Sequence, residues 1–449
     1  MYTRVNDLVS IRLIAMAWRY LSKSMFGSSG GESEEEDLQA AAIIASMGRK
    51  RCWGGSVFGH KIYKRDRAAA ERLLMLKYFD EESIFDDDQF RRRYRMRKPL
   101  FLRIVDELTT ANSFFKQRRN AAGAKGFSPI HKCTAAMRVL MYGQAADAVD
   151  DVLMMGESTV LKCVKVFVKT VISVYQEEYL RPPRQHEIEE MMTSNAARGF
   201  PGKTGSIDCM HWEWANCPSG WHGVYKGHKG KPTMILEAIA SEDLRIWHAF
   251  FGLPGSHNDI NVLHRSPVFD DLANGNAPEV EFTVNGNIYS MGYYLADGIY
   301  PNWATLVKSI SAPVSKKHNV YARRQESCRK DVERTFGVLR AKWKILHSPA
   351  RLWNPRDLNS IVRACVILHK IIVDERGKDV AQLHNSEWPG AANPPINQNR
   401  NVPAIAQLID AYSVIKSKET SASLRNDLVE HIWELYGTSS GPFARMHGH

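Results

Sequence analysis

The spacing of apolar positions changes along the chain, and the changes divide it. From about residue 68 to 198 they recur at helical intervals: Phe101, Ile104, Val105 and Leu108 share one face, as do Val160, Val164, Phe167, Val168 and Val171. Between Pro129 and Tyr179 the pattern reads helix, short helix, turn, helix, with Ser158 as the predicted cap of the last helix. That layout predicts a helix-turn-helix with residues 158–175 as the recognition helix, or else a helical bundle used for packing or dimerisation. From Ser206 the runs shorten. SIDCMHWEW (206–214), PTMILEAIAS (232–241) and LRIWHAFFG (244–252) read as strands, the last two joined by a tight turn at 241–243. GSHNDINVLHRS (255–266) reads as a loop and a helix capped by Asn258 or Asp259. YYLADG (293–298) and LVKSISAP (306–313) give two more strands, and a long helix is predicted from about Gln325 to Lys344, with Val332, Phe336 and Leu339 on one face.

Three strands, a helix, two strands and a helix is the order of an α/β, ribonuclease H-like fold, here preceded by an all-α, helix-turn-helix-like region. The expected organisation is a poorly ordered segment 1–62 with an acidic linker, a helical domain 63–198, a ribonuclease H-like domain 199–375, a disordered polar linker 376–402 and a helical tail 403–449. The apolar stretch 5–21 contains Asp7, Arg12 and Arg19, too charged for a membrane span, and no membrane partner is expected.

Composition sharpens the picture. The 449 residues carry 60 Lys+Arg against 49 Asp+Glu, a net charge of +11 that favours a polyanionic partner such as DNA. The seven cysteines never pair as CxxC, which points to a reducing compartment; the spacing of Cys209, His211, Cys217 and His222 matches no regular zinc finger. Six cations, Arg91, Arg92, Arg93, Arg95, Arg97 and Lys98, crowd eight positions. They are candidates for phosphate contacts, or they solvate a helix start and pair with Asp86, Asp87 and Asp88. Lys162, Lys165 and Lys169 are the few cations of the segment read as a recognition helix.

Three acids stand in different local contexts: Asp208 and Asp297 on predicted strands, Glu333 on a predicted helix. Two strand carboxylates and one helix carboxylate suit a pair of hard divalent cations, which take oxygen ligands and stay partly hydrated. Asp259 is a fourth acid, read as a helix cap or as a partner behind the ligands. Arg329 and Arg340, four before and seven after Glu333, are candidates to meet DNA backbone beside the ions. His211 and His257 are candidates for phosphate contact or satisfied structural groups; Trp212, Trp214 and Trp221 could stack on an unpaired base, with core packing the preferred role of the first two.

GSIDCMHWEWANCP, ASEDLRIWHAFFGLPGSHNDINVL, MGYYLADGIYPNWATLVKSI and ESCRKDVERTFGVLRAKWKIL resemble the transposases of plant PIF/Harbinger elements, more closely the Pong-like (Ping/Pong) subgroup. The similarity runs from about Tyr63 to Glu375, with a fainter echo in DLVEHIWELYG (427–437). The resemblance implies a DDE-type nuclease and strand transferase with Asp208, Asp297 and Glu333 as its acidic triad. It implies two Mg²⁺ or Mn²⁺ ions per site, with Asp208 bridging them and Asp297 and Glu333 each holding one. It further implies terminal inverted repeats, a short T/A-rich target, a Myb-like partner protein from the same element, and a nuclear location that depends on that partner. A second copy of the chain is a further candidate partner. The chain departs from the family in ILHKIIVDE (367–375), where Lys370 replaces the usual Asn. A host-adopted chromatin or regulatory adaptor that keeps the fold without cutting is the alternative expectation.

Overall fold

The computed structural model of the chain describes residues 63, 65–121, 123–227, 230–383 and 405–438. The segment 1–62, residues 384–402 of the expected linker and the end of the tail lie outside them. Helices α1 (Arg67–Tyr78), α2 (Asp87–Tyr94), α3 (Lys98–Ala111), α4 (Pro129–Tyr142), α5 (Glu157–Tyr179) and α6 (Gln185–Ala197) come first. Short polar side chains start several of them: Asp66 accepts from Ala69 N–H at 2.9 Å, Asp86 from Gln89 N–H at 2.7 Å and Ser128 from His131 N–H at 3.3 Å. Helix α5 departs from expectation. Met154 turns the chain left-handed at φ 47°, and extended Gly156 is the N-cap, without a side-chain cap bond, so Ser158 already lies inside the first turn. The apolar stripe of α5 is buried as its spacing predicts, on α4 and on α9 (Pro355–Leu383). Lys165 is drawn into an ion pair with Asp357 of α9 at 2.8 Å, and Lys162 lies over the Phe114 ring. Lys162, Lys165 and Lys169 nevertheless stay exposed on the outer side of α5.

Seven strands follow: β1 (Lys203–Glu213), β2 (Thr233–Ala240), β3 (Ile246–Pro254), β4 (Phe282–Val284), β5 (Asn287–Tyr289), β6 (Tyr293–Ala296) and β7 (Leu306–Lys308). Five form a mixed sheet in the order β3-β2-β1-β6-β7. The pairs β1–β2 and β2–β3 are antiparallel, β1–β6 and β6–β7 parallel. This mixed α/β sheet is compatible with a ribonuclease H-like domain. Strand β2 is buried along its whole length, Thr233 and Glu237 included, as a strand in a sheet covered on both faces is. The β4–β5 hairpin is a separate two-stranded unit that the apolar pattern does not announce, and β7 stops at Lys308.

The single helix predicted over 325–344 is two, α7 (Lys316–Arg329) and α8 (Asp331–Lys342). The break has a visible cause. The Cys328 carbonyl at the helix end, besides the Lys330 N–H, accepts from Ser206 Oγ at 3.0 Å and Lys203 Nζ at 3.2 Å, both on β1. Asp331, 1% exposed, then takes Arg198 at 2.7 Å and Lys203 at 3.0 Å. The junction is thereby fastened to the central strand.

Beyond α9 lie α10 (Ile405–Ile415) and α11 (Lys418–Gly437). Leu424, Leu428, Val429 and Ile432 of α11 join Phe200, Tyr293 and Tyr321 in one apolar cluster, so the tail docks on the sheet domain. Asp427 secures it, accepting from Asn287 at 2.7 Å and from the Tyr289 hydroxyl. Among the described residues no helix is long and apolar enough to cross a membrane.

Candidate active site

Parallel pairing brings the first two acids together. Ser206 stands opposite Leu295 in the β1–β6 ladder, and carrying that register two residues further sets Asp208 level with Asp297, just past the end of β6. Both carboxylates fold back on the chain: Asp208 accepts from Cys209 N–H at 2.8 Å, Asp297 from Gly298 N–H. Glu333 arrives in the first turn of α8, where the clamped junction aims it. Its carboxylate is ion-paired with Arg329 at 2.7 Å, across the helix break.

Burial raises the Asp208 carboxyl to about 6; the Cys209 N–H and the charge of Arg329 ease it down, and those of Asp259 and Glu333 push it up. Asp208 thus stands in the field of two further carboxylates and one guanidinium. Arg329 also lines a cleft of about 390 Å³ with Asp297, so this single cation stands among all three acids. Asp259 is not the cap that the sequence allowed. Asn258 fills that position, accepting from Asn261 N–H at 2.9 Å, and Asp259 begins the helix with its charge felt by Asp208 and Cys209.

The donor chemistry fits a hard cation: oxygen donors stand on β1, after β6 and on α8, and beyond the burial that raises the Asp208 carboxyl, the charges of Asp259 and Glu333 add to the rise. The spacing is not that of a closed coordination shell. Among the described residues no group of three or more His, Cys, Asp or Glu is arranged to hold a metal ion, and Arg329 occupies Glu333.

The other residues singled out by sequence are dispersed. Trp212 and Trp214 are buried, their indoles donating to the carbonyls of Ser348 and Leu352 at 2.8 Å, as core residues do. Trp221 is exposed and stacks near Tyr225. His211 meets Thr233 Oγ1 at 2.9 Å, and His257 is held by the Pro254 carbonyl and Arg265. Arg340 bonds His347 at 3.1 Å. In the basic cluster, Arg93 is committed to the Phe85 ring and the Tyr78 hydroxyl, Arg95 lies over Tyr142, and Arg97 is the N-cap residue of α3. Arg91 and Arg92 are exposed. Asp86 is a cap, and among the described residues no ion pair joins Arg91, Arg92, Arg93 or Arg95 to Asp86, Asp87 or Asp88. Sequence reasoning missed Arg329 as the partner of Glu333, although the i,i+4 spacing was its signal.

Lys370, the departure from the family pattern, is 2% exposed, with Nζ 3.9 Å from the centre of the Trp247 ring and no hydrogen-bond partner. Burial pushes its amine down to about 8. The unfolded chain keeps the proton up to the ordinary lysine value of 10.5, so the native state is penalised below about pH 8 and the penalty fades as pH rises to 10.5. Lys370→Met is therefore expected to stabilise the protein at pH 7, by up to about 3 kcal/mol before the forfeited ring interaction is subtracted. Denaturant unfolding at pH 7 and pH 10 checks this: the gain must shrink at the higher pH.

Residues 177–380 match the model of a family described as plant transposon protein, and residues 71–109 match a domain of unknown function. The Arabidopsis thaliana protein named Protein ALP1-like is 23% identical over 247 residues, covering 54% of this chain and 60% of that protein. The Arabidopsis thaliana protein named Antagonist of Like Heterochromatin Protein 1 is 25% identical over 252 residues, 53% of this chain and 61% of its own length. The chain thus spans about three fifths of the curated relatives it matches. No solved structure matches. The matched stretch 177–380 contains Asp208, Asp297 and Glu333, and the comparisons support a transposase-derived family for this chain.

Proposed function

We propose that the chain is a Harbinger-type transposase of the Pong-like subgroup, a divalent-metal-dependent endonuclease that cuts DNA at element ends and joins them to T/A-rich target DNA. The observation that carries this reading is the parallel β1–β6 register, which extended by two residues sets Asp208 level with Asp297 just past the end of β6, with the charge of Glu333 felt at Asp208. Asp208, Asp297 and Glu333 would hold Mg²⁺ or Mn²⁺, two ions per site. Such ions, when bound, supply a deprotonated water near neutral pH and charge relief for the leaving 3′ oxygen.

The chain's own contribution is placement. The paired strands β1 and β6 lead into Asp208 and Asp297, and the Asp331 clamp lies two residues before Glu333, which supports this reading. Arg329 balances the charge of Glu333 in this structure; were Glu333 to hold an ion instead, the guanidinium would be available to a DNA phosphate. Asp259 adds its charge to the field at Asp208. The net charge of +11 suits DNA as substrate. A Myb-like protein of the same element, a second copy of the chain and a nuclear location complete the proposal.

A second reading, a chromatin or regulatory adaptor that does not cut, draws on the printed name of one relative, an antagonist of a heterochromatin protein, and on the ion pair that holds Glu333. One experiment separates the two. The purified chain, with and without the Myb-like protein, is incubated with duplex element ends and Mg²⁺ or Mn²⁺. Ion-dependent cutting is expected, reduced on the order of a thousandfold in Asp297→Ala. Cutting that survives that substitution removes the catalytic assignment, and no cutting by the wild type favours the adaptor.

A further inference from the structure

Where α2, the end of α8 and α9 meet, there is a cleft of about 500 Å³ whose lining includes Arg91, Arg92, Arg95, Lys342 and Arg376, with Asp88 its one carboxylate. A smaller adjoining cavity shares Arg91, Arg95 and Arg376 and adds Glu375. Among the described residues none of these five cations enters an ion pair. Lys342 is the informative one. It is 7% exposed, lines the cleft, and its Nζ has no hydrogen-bond partner; Arg95 Nε is likewise buried and unsatisfied.

A buried ammonium without a counter-ion is costly, and a protein normally pairs it or replaces it. Here it is surrounded by more positive charge. Burial, then Arg376 and Arg91, push the Lys342 amine down to about 7, and burial, with Lys342 and Arg376 adding to it, holds nearby His369 neutral. Asp88 and Glu375 are too few to balance the group. What the cleft lacks is an anion with several acceptor oxygens, able to meet an ammonium at its floor and planar guanidinium forks around its mouth.

We propose that this cleft is a binding site for a phosphate group, held by Lys342, Arg91, Arg95 and Arg376. It shares no residue with the carboxylate site: Lys342 lies nine residues beyond Glu333 on α8, about 14 Å along the helix axis. The proposal stands whether or not the chain cuts DNA. The phosphate can belong to a nucleic-acid backbone or to a free oligophosphate, and the volume admits either.

The test uses the full chain and two probes: a labelled random-sequence 20-base-pair duplex, followed by anisotropy across a salt series, and sodium tripolyphosphate, followed by thermal shift. The variants are Lys342→Met, the exposed pair Arg91→Gln/Arg376→Gln, and Lys169→Gln on α5 as a control outside the cleft. A loss of about tenfold in duplex affinity in the first two, with a log–log salt slope shallower by about one for each phosphate no longer neutralised, identifies the backbone as the source. Loss of the tripolyphosphate shift alone identifies the free anion. If Lys342→Met does not fold, the exposed pair carries the test. The proposal is overturned if wild type binds neither probe, or if the cleft variants bind both probes as wild type and the Lys169 control do.

Discussion

Asp208→Asn is expected to abolish cutting and at the same time to raise thermal stability. The two effects share one cause. The carboxyl of Asp208 is raised from 3.8 to about 6, so the native state holds its proton longer than the unfolded chain does. Stability therefore declines as pH climbs from about 4 through 6, and above that the whole penalty applies. Asparagine cannot ionise and escapes the penalty, a gain of up to about 3 kcal/mol at pH 7 for a shift of this size, with solvent contact reducing it. Below pH 4 wild type and variant should converge. Mg²⁺ or Mn²⁺ should raise the wild-type Tm, by relieving the same charge, and leave the variant's unchanged. An Asn variant no more stable than wild type at pH 7, or one that still cuts, would contradict this account of the site.

How far the site could be read beforehand follows from the kind of order each part has. Asp208 and Asp297 sit on apolar runs whose period states a strand outright, and parallel pairing of neighbouring strands does the rest. Glu333 was legible as a helical acid, but the break before it was not, because the break is made by Lys203 and Ser206, more than a hundred residues away. Ser158 looked like a cap by type, yet the turn at Met154 started the helix sooner. The β4–β5 hairpin has strands of three residues, too short for any alternation to show. Charge is legible only in part. Lys165 is the surface cation that its spacing suggests, yet it also pairs with Asp357, and Arg93 is half-buried over the Phe85 ring. Lys342 stands in the sequence as one cation among several near Glu333, and only packing shows that its amine is buried and unpartnered. Local pattern predicts elements; partners distant in sequence decide which charges remain available.

The clamp under the helix break gives the largest expected loss of stability. Asp331 is 1% exposed and receives Arg198 at 2.7 Å, Lys203 at 3.0 Å and Arg334 at 3.3 Å. Burial pulls its carboxyl up, but Arg198 and Lys203 outweigh that and hold it below the usual range; for Lys203, wholly buried, burial outweighs the carboxylate and lowers the amine. Asp331→Ala strands that amine without a counter-charge, and removing one member of a buried pair typically costs about 3–5 kcal/mol. Because the folded carboxyl is depressed, its contribution is present above the ordinary carboxylate value and drains away as pH falls through the folded one, so the gap between wild type and variant should narrow on acidification below about pH 4. Lys203→Met in the Asp331→Ala background should recover part of the loss, since it removes the orphaned charge itself. The same clamp aims Glu333, and cutting measured well below the variant's melting temperature should fall further than the unfolded fraction explains. A cost under about 1 kcal/mol, or no recovery in the double variant, would mean that the helix junction is held by its apolar neighbours and that Glu333 owes its place to them.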